Sequence, residues 1–284
     1  MKKNKIAIIG NPLSHSLSPA MQNAAFKKME LPFHYSKVLL TATQLPSFLK
    51  RLKTHPDYVG LNVTVPYKEK VIPCLDEISG EARLIGAVNT ILIQSGRLRG
   101  FNTDGEGYVC SLTKEMRFSP RKKCVVILGA GGASRAILAT LCLKGVREII
   151  LINRTGDRAK KLAKEFQKKF RKIKIEAFSF SSSHLPKLFK KADLLINTTP
   201  AGLKDKVLPP IPLNHLPSRA IVSDIVYRPL LTPLLKKAKK LGFKIHPGWG
   251  MLLYQGALAF QIWTHKNPPL SLMKKTLLRR IHTQ

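Results

Sequence analysis

The sequence has few cysteines and no long apolar run. Its 284 residues include four cysteines, Cys74, Cys110, Cys124 and Cys142, and no two of them form a Cys-x-x-Cys pair. This spacing indicates neither a zinc site nor a disulfide framework, so we expect buried, reduced thiols. No apolar stretch reaches the roughly 18 residues that span a bilayer, which argues against a membrane protein. The apolar stretch 6–9 is too short for a signal peptide, and we therefore expect a cytoplasmic protein.

Acidic residues are also scarce. The chain has 16 Asp and Glu residues against 49 Lys and Arg residues, which gives a net charge of +33. Such an excess attracts polyanions, so a non-catalytic, basic nucleic-acid-binding protein is one alternative. The basic residues, however, follow the polar faces of helical segments such as 160–169 and have no aromatic residues interleaved. The pattern therefore favours a solvated surface that gathers small anions, and it disfavours nucleic acid as a partner.

Length and strand pattern predict an α/β protein with two domains. The first hundred residues alternate short strands and helices, whereas the region from Cys124 onward repeats a strand and helix unit. Such a repeat is typical of a Rossmann-type, doubly wound parallel sheet. Its six strands are predicted at 124–128, 148–152, 173–178, 193–197, 220–224 and 243–245. The helical pattern of the last forty residues does not say which domain they join.

A glycine-rich loop follows the predicted strand 124–128 and precedes an apolar helical face. The loop consists of Gly129, Ala130, Gly131, Gly132 and Ala133, with Ser134 in place of a third glycine. Glycines allow a tight turn and a close approach to a pyrophosphate, and the start of a helix adds positive potential. The loop therefore predicts a dinucleotide site, and a plain tight turn is the alternative.

The end of the next strand distinguishes the two nicotinamide cofactors. It carries Asn153, Arg154 and Thr155, with Arg158 one turn further on, and it lacks the acidic residue that binds the adenosine ribose hydroxyl of NAD. Guanidinium groups bind phosphate oxygens in a bidentate, charge-assisted way. The pattern therefore favours the 2′-phosphate of NADP over NAD.

Two polar segments of the first domain indicate the reacting centre. In the segment 10–19, Ser16 and its neighbours offer hydroxyls that can bind a carboxylate, and Ser18 is predicted to cap a helix that starts at Pro19. In the segment 62–68, Thr64 shares a strand face with Asn62, and Lys68 follows the end of the strand. A lysine beside a ketone can donate a proton to its oxygen, although an exposed lysine without a role is the alternative.

One of the few acids follows a hairpin that the sequence predicts at 88–94 and 97–100, with Ser95 and Gly96 as its turn. Asp104 stands in an Asn-Thr-Asp-Gly stretch between the two domains, where two lobes with a shared cleft would meet. Paired with Lys68, it would hold the ammonium group and accept a hydrogen bond from a substrate hydroxyl. The alternative role of Asp104 is to cap the helix that follows.

The motifs together resemble those of the shikimate dehydrogenase family. They are GNPLSHSLSP, NVTVPYK, GAVNT, NTDG, GAGGAS, NRT and GWGMLLYQGALAF, and they follow one another over nearly the whole chain. The resemblance implies Lys68 as the acid and base, with Asp104 as its partner. It implies that the substrate contacts are Ser16, Ser18, Thr64, Lys68, Asn89, Asp104, Tyr227 and Gln255. It implies that the NADP contacts are Gly129–Ala133, Asn153, Arg154, Thr155, Arg158, Ile225 and Gly248.

The same resemblance implies the reaction and the domain arrangement. The expected reaction is the NADPH-dependent reduction of 3-dehydroshikimate to shikimate, a step of aromatic amino acid biosynthesis, with no metal and in a monomer or homodimer. The expected domains are a substrate-binding domain at 1–104, a Rossmann domain at 105–247 and C-terminal helices at 248–284 that return to the first domain. An NAD-using quinate/shikimate dehydrogenase is the alternative. Two features depart from the family pattern: the high positive charge, and Ile225 where methionine is frequent.

Overall fold

The computed structural model describes residues 4–203 and 210–283. The chain divides into two compact units. The first unit combines residues 1–107 with residues 253–284, and the second unit consists of residues 108–252. The domain boundaries predicted from the sequence, 104/105 and 247/248, lie a few residues before each of these changes.

The strands and helices follow one another in a regular order. Up to residue 116 they are β1 (Asn4–Gly10), α1 (Ser18–Lys28), β2 (Phe33–Leu39), α2 (Gln44–Leu52), β3 (Tyr58–Val63), β4 (Glu77–Ile78), α3 (Gly80–Ile85), β5 (Thr90–Gln94), β6 (Arg97–Phe101) and α4 (Asp104–Met116). From residue 124 they are β7 (Cys124–Leu128), α5 (Gly132–Leu143), β8 (Glu148–Asn153), α6 (Gly156–Lys169), β9 (Lys174–Ser179), α7 (Leu185–Phe189), β10 (Leu194–Asn197), β11 (Ile221–Asp224), α8 (Pro233–Lys240), β12 (Lys244–His246), α9 (Trp249–Thr264) and α10 (Leu270–His282).

The first unit contains a mixed six-stranded sheet in the order β2-β1-β3-β5-β6-β4. β1 pairs in parallel with β2 and β3, and β3 pairs antiparallel with β5. The predicted hairpin is present as β5 and β6. Its two turn residues, Ser95 and Gly96, both have positive φ, at 50° and 73°. A two-residue turn with two positive φ values matches the right-handed twist of the strands it joins.

Residues of the C-terminal helices pack into the first unit. The rings of Phe26 and Phe260 stack at 5.2 Å, and Trp263 donates from Nε1 to the backbone oxygen of Ile91 at 3.0 Å. A side chain on Gly60 would collide with the indole of Trp263. The glycine therefore allows β3 and α9 to approach closely.

The second unit contains a six-stranded sheet in the order β12-β11-β10-β7-β8-β9. All its strand pairs are parallel, and every residue of β7 is buried. The chain moves from β7 outward to β9 and then returns to β10 on the other side. This is the order of a Rossmann sheet, so the predicted α/β fold with a doubly wound parallel sheet is confirmed.

One local prediction was wrong. Ser18 does not cap α1 from outside; it is the first helical residue, and the capping position belongs to Leu17, which makes no side-chain cap. Ser18 is buried, and its side chain hydrogen bonds to Tyr35 instead.

Within the described parts of the chain, no helix is long and apolar enough to cross a membrane.

Candidate active site

Lys68 and Asp104 form a close ion pair in the first unit. Lys68 follows the end of β3, and Asp104 is the first residue of α4. Lys68 Nζ lies 2.6 Å from Asp104 Oδ2, and the two side chains are only 14% and 5% exposed. The carboxylate of Asp104 therefore holds the ammonium group of Lys68 away from solvent.

Asn89 binds the other oxygen of Asp104. Its Nδ2 donates to Asp104 Oδ1 at 2.9 Å and to Thr103 Oγ1 at 2.9 Å, and it lies 3.5 Å from Gln255 Oε1. Its Oδ1 accepts from the backbone N–H of Thr103 at 2.8 Å. A backbone N–H can only donate, so this bond determines which end of the Asn89 amide faces Asp104.

Gln255 reaches this cluster because two helices approach closely within the first unit. A Cβ added to Gly107 in α4 would lie 2.5 Å from the backbone nitrogen of Gln255 and 2.7 Å from its Cβ. Real Cβ atoms do not approach other atoms so closely. Gly107 therefore permits the contact that places the amide of Gln255 beside Asn89.

Further polar side chains extend the cluster through the sheet. Tyr35 donates from its hydroxyl to Asn62 Oδ1 at 2.7 Å, and Asn62 Nδ2 donates to Thr90 Oγ1 at 3.1 Å. Thr90 in turn donates to Asn89 Oδ1 at 3.0 Å. Four of these groups, Tyr35, Asn62, Thr90 and Thr103, were not among the predicted site residues. The polar pairs Asn89-Thr90 and Asn102-Thr103, each beside a buried strand, were the available signal.

Ser16 and Thr64 follow the ends of two neighbouring strands. β1 pairs with β3, and the backbone N–H of Thr64 donates to Ile9 at 2.9 Å. A side chain on Gly10, at the end of β1, would collide with Thr64. Ser16 is half-buried in the segment between β1 and α1. The structure thus joins Lys68, Asn89, Asp104 and Gln255 by direct contacts, and Ser18 is linked to them through Tyr35 and Asn62.

The glycine turn of the second unit has the geometry that its sequence predicts. Gly129 has a φ of 113°, and a Cβ there would lie 2.5 Å from Thr198 Oγ1. Gly131 stands at the capping position of α5 and has no side chain to cap it. The first N–H groups of a helix have no acceptor within the helix, so they are suited to bind an anion.

Ser134, which replaces the third glycine of the motif, closes the same turn. Its hydroxyl donates to the backbone oxygen of Gly129 at 2.8 Å, and the side chain is fully buried. The Gly129 N–H donates to Ile152 at 2.8 Å. The turn is therefore held from both sides without a third glycine.

The end of β8 lies beside this turn. β7 and β8 pair with Leu128 opposite Ile152, so Gly129, which follows β7, is next to Asn153, the last residue of β8. Asn153 donates from Nδ2 to the backbone oxygen of Thr155 at 2.9 Å. Arg154 and Arg158 are exposed there, and no acidic residue occupies the strand end. The turn and these side chains fit an NADP molecule: a pyrophosphate at the start of α5 and a 2′-phosphate at the guanidinium groups.

Three predicted contacts follow β11 or β12 in the second unit. A side chain on Gly248 would collide with the backbone oxygen of Ile225, so these two residues adjoin. Tyr227 is half-buried two residues further along. The last residue of β11, Asp224, is buried and accepts hydrogen bonds from Thr232 Oγ1 at 2.7 Å and from the Val226 N–H at 3.0 Å. This buried acid thereby fixes the start of the segment that contains Ile225 and Tyr227.

Two buried titratable groups of the second unit were not predicted. Burial raises the pKa of Asp224 to about 6, against the hydrogen bonds that it accepts. Burial lowers the pKa of His246 to about 4, so the imidazole is neutral at pH 7. His246 lies between two serines: its Nε2 is 2.8 Å from Ser111 Oγ, and its Nδ1 is 2.9 Å from Ser223 Oγ. These contacts tie α4, β11 and β12 together.

The second unit defines the class of the protein. A parallel sheet in Rossmann order, a glycine turn at the start of α5 and basic residues after β8 are the features of a dinucleotide-binding protein. The first unit adds a buried lysine and aspartate pair, which is suited to proton transfer. Within the described residues there is no group of three or more His, Cys, Asp or Glu side chains that could hold a metal ion.

Comparison with known proteins identifies the family. The chain matches the family models described as "Shikimate dehydrogenase substrate binding domain" over residues 8–91, "Shikimate / quinate 5-dehydrogenase" over residues 112–205 and "Shikimate 5'-dehydrogenase C-terminal domain" over residues 248–278. It is 41% identical over 280 residues to the shikimate dehydrogenase (NADP(+)) of Methanopyrus kandleri, covering 98% of this chain and 96% of the relative.

Solved structures agree with this result. A crystal structure of a shikimate dehydrogenase in complex with NADP+ has a TM-score of 0.90 and 39% identity, covering 99% of this chain and 96% of that one. The Thermus thermophilus shikimate 5-dehydrogenase in complex with NADP(H) and shikimate has a TM-score of 0.85 and 38% identity, covering 98% of this chain and 99% of that one. The chain belongs to the shikimate dehydrogenase family of oxidoreductases.

Proposed function

We propose that this protein catalyses the reversible reduction of 3-dehydroshikimate to shikimate with NADPH, a step of aromatic amino acid biosynthesis. The observation that carries the proposal is the cluster in which Lys68 Nζ lies 2.6 Å from Asp104 while Asn89 binds the other carboxylate oxygen. This cluster provides a proton donor and several hydrogen-bonding groups for a ketone with neighbouring hydroxyls. Membership of the family supports the choice of substrate.

In this mechanism the first unit binds the substrate and moves the proton. Ser16 and Ser18 bind the carboxylate, and the hydroxyl contacts are Thr64, Asn89, Asp104 and Gln255. Lys68 donates a proton from Nζ to the carbonyl oxygen as the carbonyl carbon is reduced, and it accepts that proton in the reverse direction. Asp104 keeps the ammonium group in place and accepts a hydrogen bond from a substrate hydroxyl.

The second unit binds the cofactor. When bound, NADPH supplies the hydride. The turn 129–133 holds the pyrophosphate through backbone N–H groups, and Asn153, Arg154, Thr155 and Arg158 bind the adenosine end. Ile225 and Gly248 contact the nicotinamide end, and Tyr227 completes the substrate contacts.

A direct assay tests the proposal. Purified protein is mixed with NADPH and 3-dehydroshikimate, and the loss of NADPH absorbance is followed. We expect turnover that depends on both compounds, and shikimate as the product. An inactive, folded protein that binds DNA in a salt-dependent way would instead favour the nucleic-acid-binding alternative.

The same assay separates this function from the NAD-using quinate/shikimate dehydrogenase. Oxidation of shikimate and of quinate is measured with NADP+ and with NAD+. We expect NADP+ and shikimate to give the highest kcat/KM, because the end of β8 is basic. Higher activity with NAD+ would contradict the proposed role of Arg154 and Arg158. A cytoplasmic location and a monomer or homodimer stay predictions.

A further inference from the structure

A buried tyrosine stands behind the proposed catalytic cluster. Tyr35 in β2 is 1% exposed, and its hydroxyl donates to Asn62 Oδ1 at 2.7 Å. Asn62 in β3 is itself buried. A phenol hydroxyl in an apolar interior needs a hydrogen-bonding partner, and here that partner is a side chain next to the cluster.

Asn62 connects Tyr35 to Asn89 through its own hydrogen bonds. Its Nδ2 donates to the backbone oxygen of Asn89 at 3.0 Å and to Thr90 Oγ1 at 3.1 Å. Thr90 then donates to Asn89 Oδ1 at 3.0 Å, and Asn89 donates to Asp104. Every bond in this series donates in the same direction, from Tyr35 toward the carboxylate that holds Lys68.

The direction of donation is determined by the backbone. The backbone oxygen of Asn89 can only accept, so Nδ2 of Asn62 faces it and Oδ1 of Asn62 faces Tyr35. The Asn62 oxygen therefore needs a donor, and Tyr35 provides it. Burial raises the pKa of Tyr35 far above its ordinary range, against an opposing hydrogen bond from Ser18. The phenol consequently stays protonated and remains a donor at every working pH.

We propose that Tyr35 is a positioning residue for the catalytic cluster, acting through Asn62 and Asn89 on the pair formed by Lys68 and Asp104. The inference rests on the proposed function. Tyr35 also contacts Ser18, one of the two serines proposed to bind the substrate carboxylate. One hydroxyl thus orients groups at both ends of the substrate, and its loss affects both substrate binding and turnover.

The test compares two buried tyrosines of the first unit. Tyr35→Phe removes the hydroxyl that donates to Asn62. Tyr67→Phe is the matched control, because Tyr67 is 2% exposed and its hydroxyl donates only to the backbone oxygen of Leu40, at 2.6 Å. Both variants lose the buried hydrogen bond that the hydroxyl donates, and Tyr35→Phe also loses the hydrogen bond from Ser18. The thermal midpoint and the kinetic constants for shikimate and NADP+ are measured for each.

We expect a loss of thermal midpoint in each variant, somewhat larger for Tyr35→Phe, and different kinetics. Tyr35→Phe should lower kcat/KM for shikimate by about tenfold, the effect of one misaligned hydrogen bond, and leave KM for NADP+ unchanged. Tyr67→Phe should retain wild-type constants. Equal kinetics in the two variants would overturn the inference. A wild-type protein that neither oxidises nor binds shikimate would instead remove the proposed function itself.

A second variant provides a pH signature. Asn62→Asp keeps the oxygen that accepts from Tyr35 but replaces the amide donor with a carboxylate. Protonation of that carboxyl restores one donor, so kcat/KM relative to wild type should rise as the pH falls. A flat ratio would therefore count against the inference, even if Tyr35→Phe failed to fold.

Discussion

The two units hold their proposed functional groups in different ways. In the first unit, side chains bind one another inside the protein: Lys68, Asn89 and Asp104 are joined by bonds of 2.6 and 2.9 Å. In the second unit, the turn from Gly129 relies on backbone geometry, and Arg154 extends into solvent. Proton transfer requires fixed distances between specific atoms, whereas a phosphate can be bound by N–H groups and mobile guanidinium groups.

This difference predicts how substitutions in each unit affect activity. A single side-chain change in the first unit should reduce turnover because the partners of that side chain lose their position. In the second unit, a change of backbone conformation should matter most, and an exposed arginine should contribute only to affinity. Three experiments test this contrast, beginning with the largest expected effect.

Replacing Lys68 should have the largest effect. Lys68→Ala removes the proposed proton donor, so kcat for shikimate oxidation should fall by about a thousandfold, with a much smaller change in KM. The control is Lys70→Ala, because Lys70 is exposed two residues further on. The kcat and KM of both variants are measured by steady-state kinetics. A kcat for Lys68→Ala within about tenfold of wild type would remove Lys68 from this role.

Alanine substitutions at two glycines of the turn should impair different properties, stability at Gly129 and cofactor binding at Gly131. Gly129→Ala forces a side chain into a φ of 113° and against Thr198, so it should cost about 1–3 kcal/mol of unfolding free energy. Gly131→Ala should leave stability nearly unchanged, because no described atom beyond its chain neighbours lies within 4 Å of an added Cβ. It should nevertheless raise KM for NADP+, since the methyl group separates the backbone from the pyrophosphate.

Urea unfolding and cofactor kinetics measure the two glycine effects separately. The contrast between the units would weaken if Gly131→Ala kept a normal KM for NADP+, because backbone access would then not matter. It would also weaken if Gly129→Ala cost no stability.

Replacing Arg154 should have the smallest effect of the three. Arg154→Ala should raise KM for NADP+ by about tenfold, the loss of one charged hydrogen bond, and leave KM for NAD+ and kcat unchanged. Lys161→Ala is the control, since Lys161 is an exposed cation of α6. Equal KM values for NADP+ in wild type and Arg154→Ala would show that the 2′-phosphate is bound elsewhere.

The sequence predicted the regular elements well where their pattern was long or uninterrupted. β7 at Cys124–Leu128 has the predicted bounds, and β10 and β11 each begin one residue later than predicted. β4, with only two residues, and the short helix α3 were not predicted, because so few residues show no periodicity. The cap at Ser18 was wrong because a tertiary partner, Tyr35, binds the serine that local preference assigns to the helix end.

The sequence by itself determined the Rossmann sheet and its glycine turn, because strand, turn and helix are adjacent along the chain and their chemistry is local. It also indicated Lys68 and Asp104 as candidates. Only the tertiary structure joined them to Asn89 and Gln255, and revealed the series from Tyr35 through Asn62. Apart from the Thr90–Asn89 bond, those contacts link residues between 15 and 166 positions apart, and a hydrogen bond depends on distances that only the packing of β2, β3, β5, α4 and α9 sets.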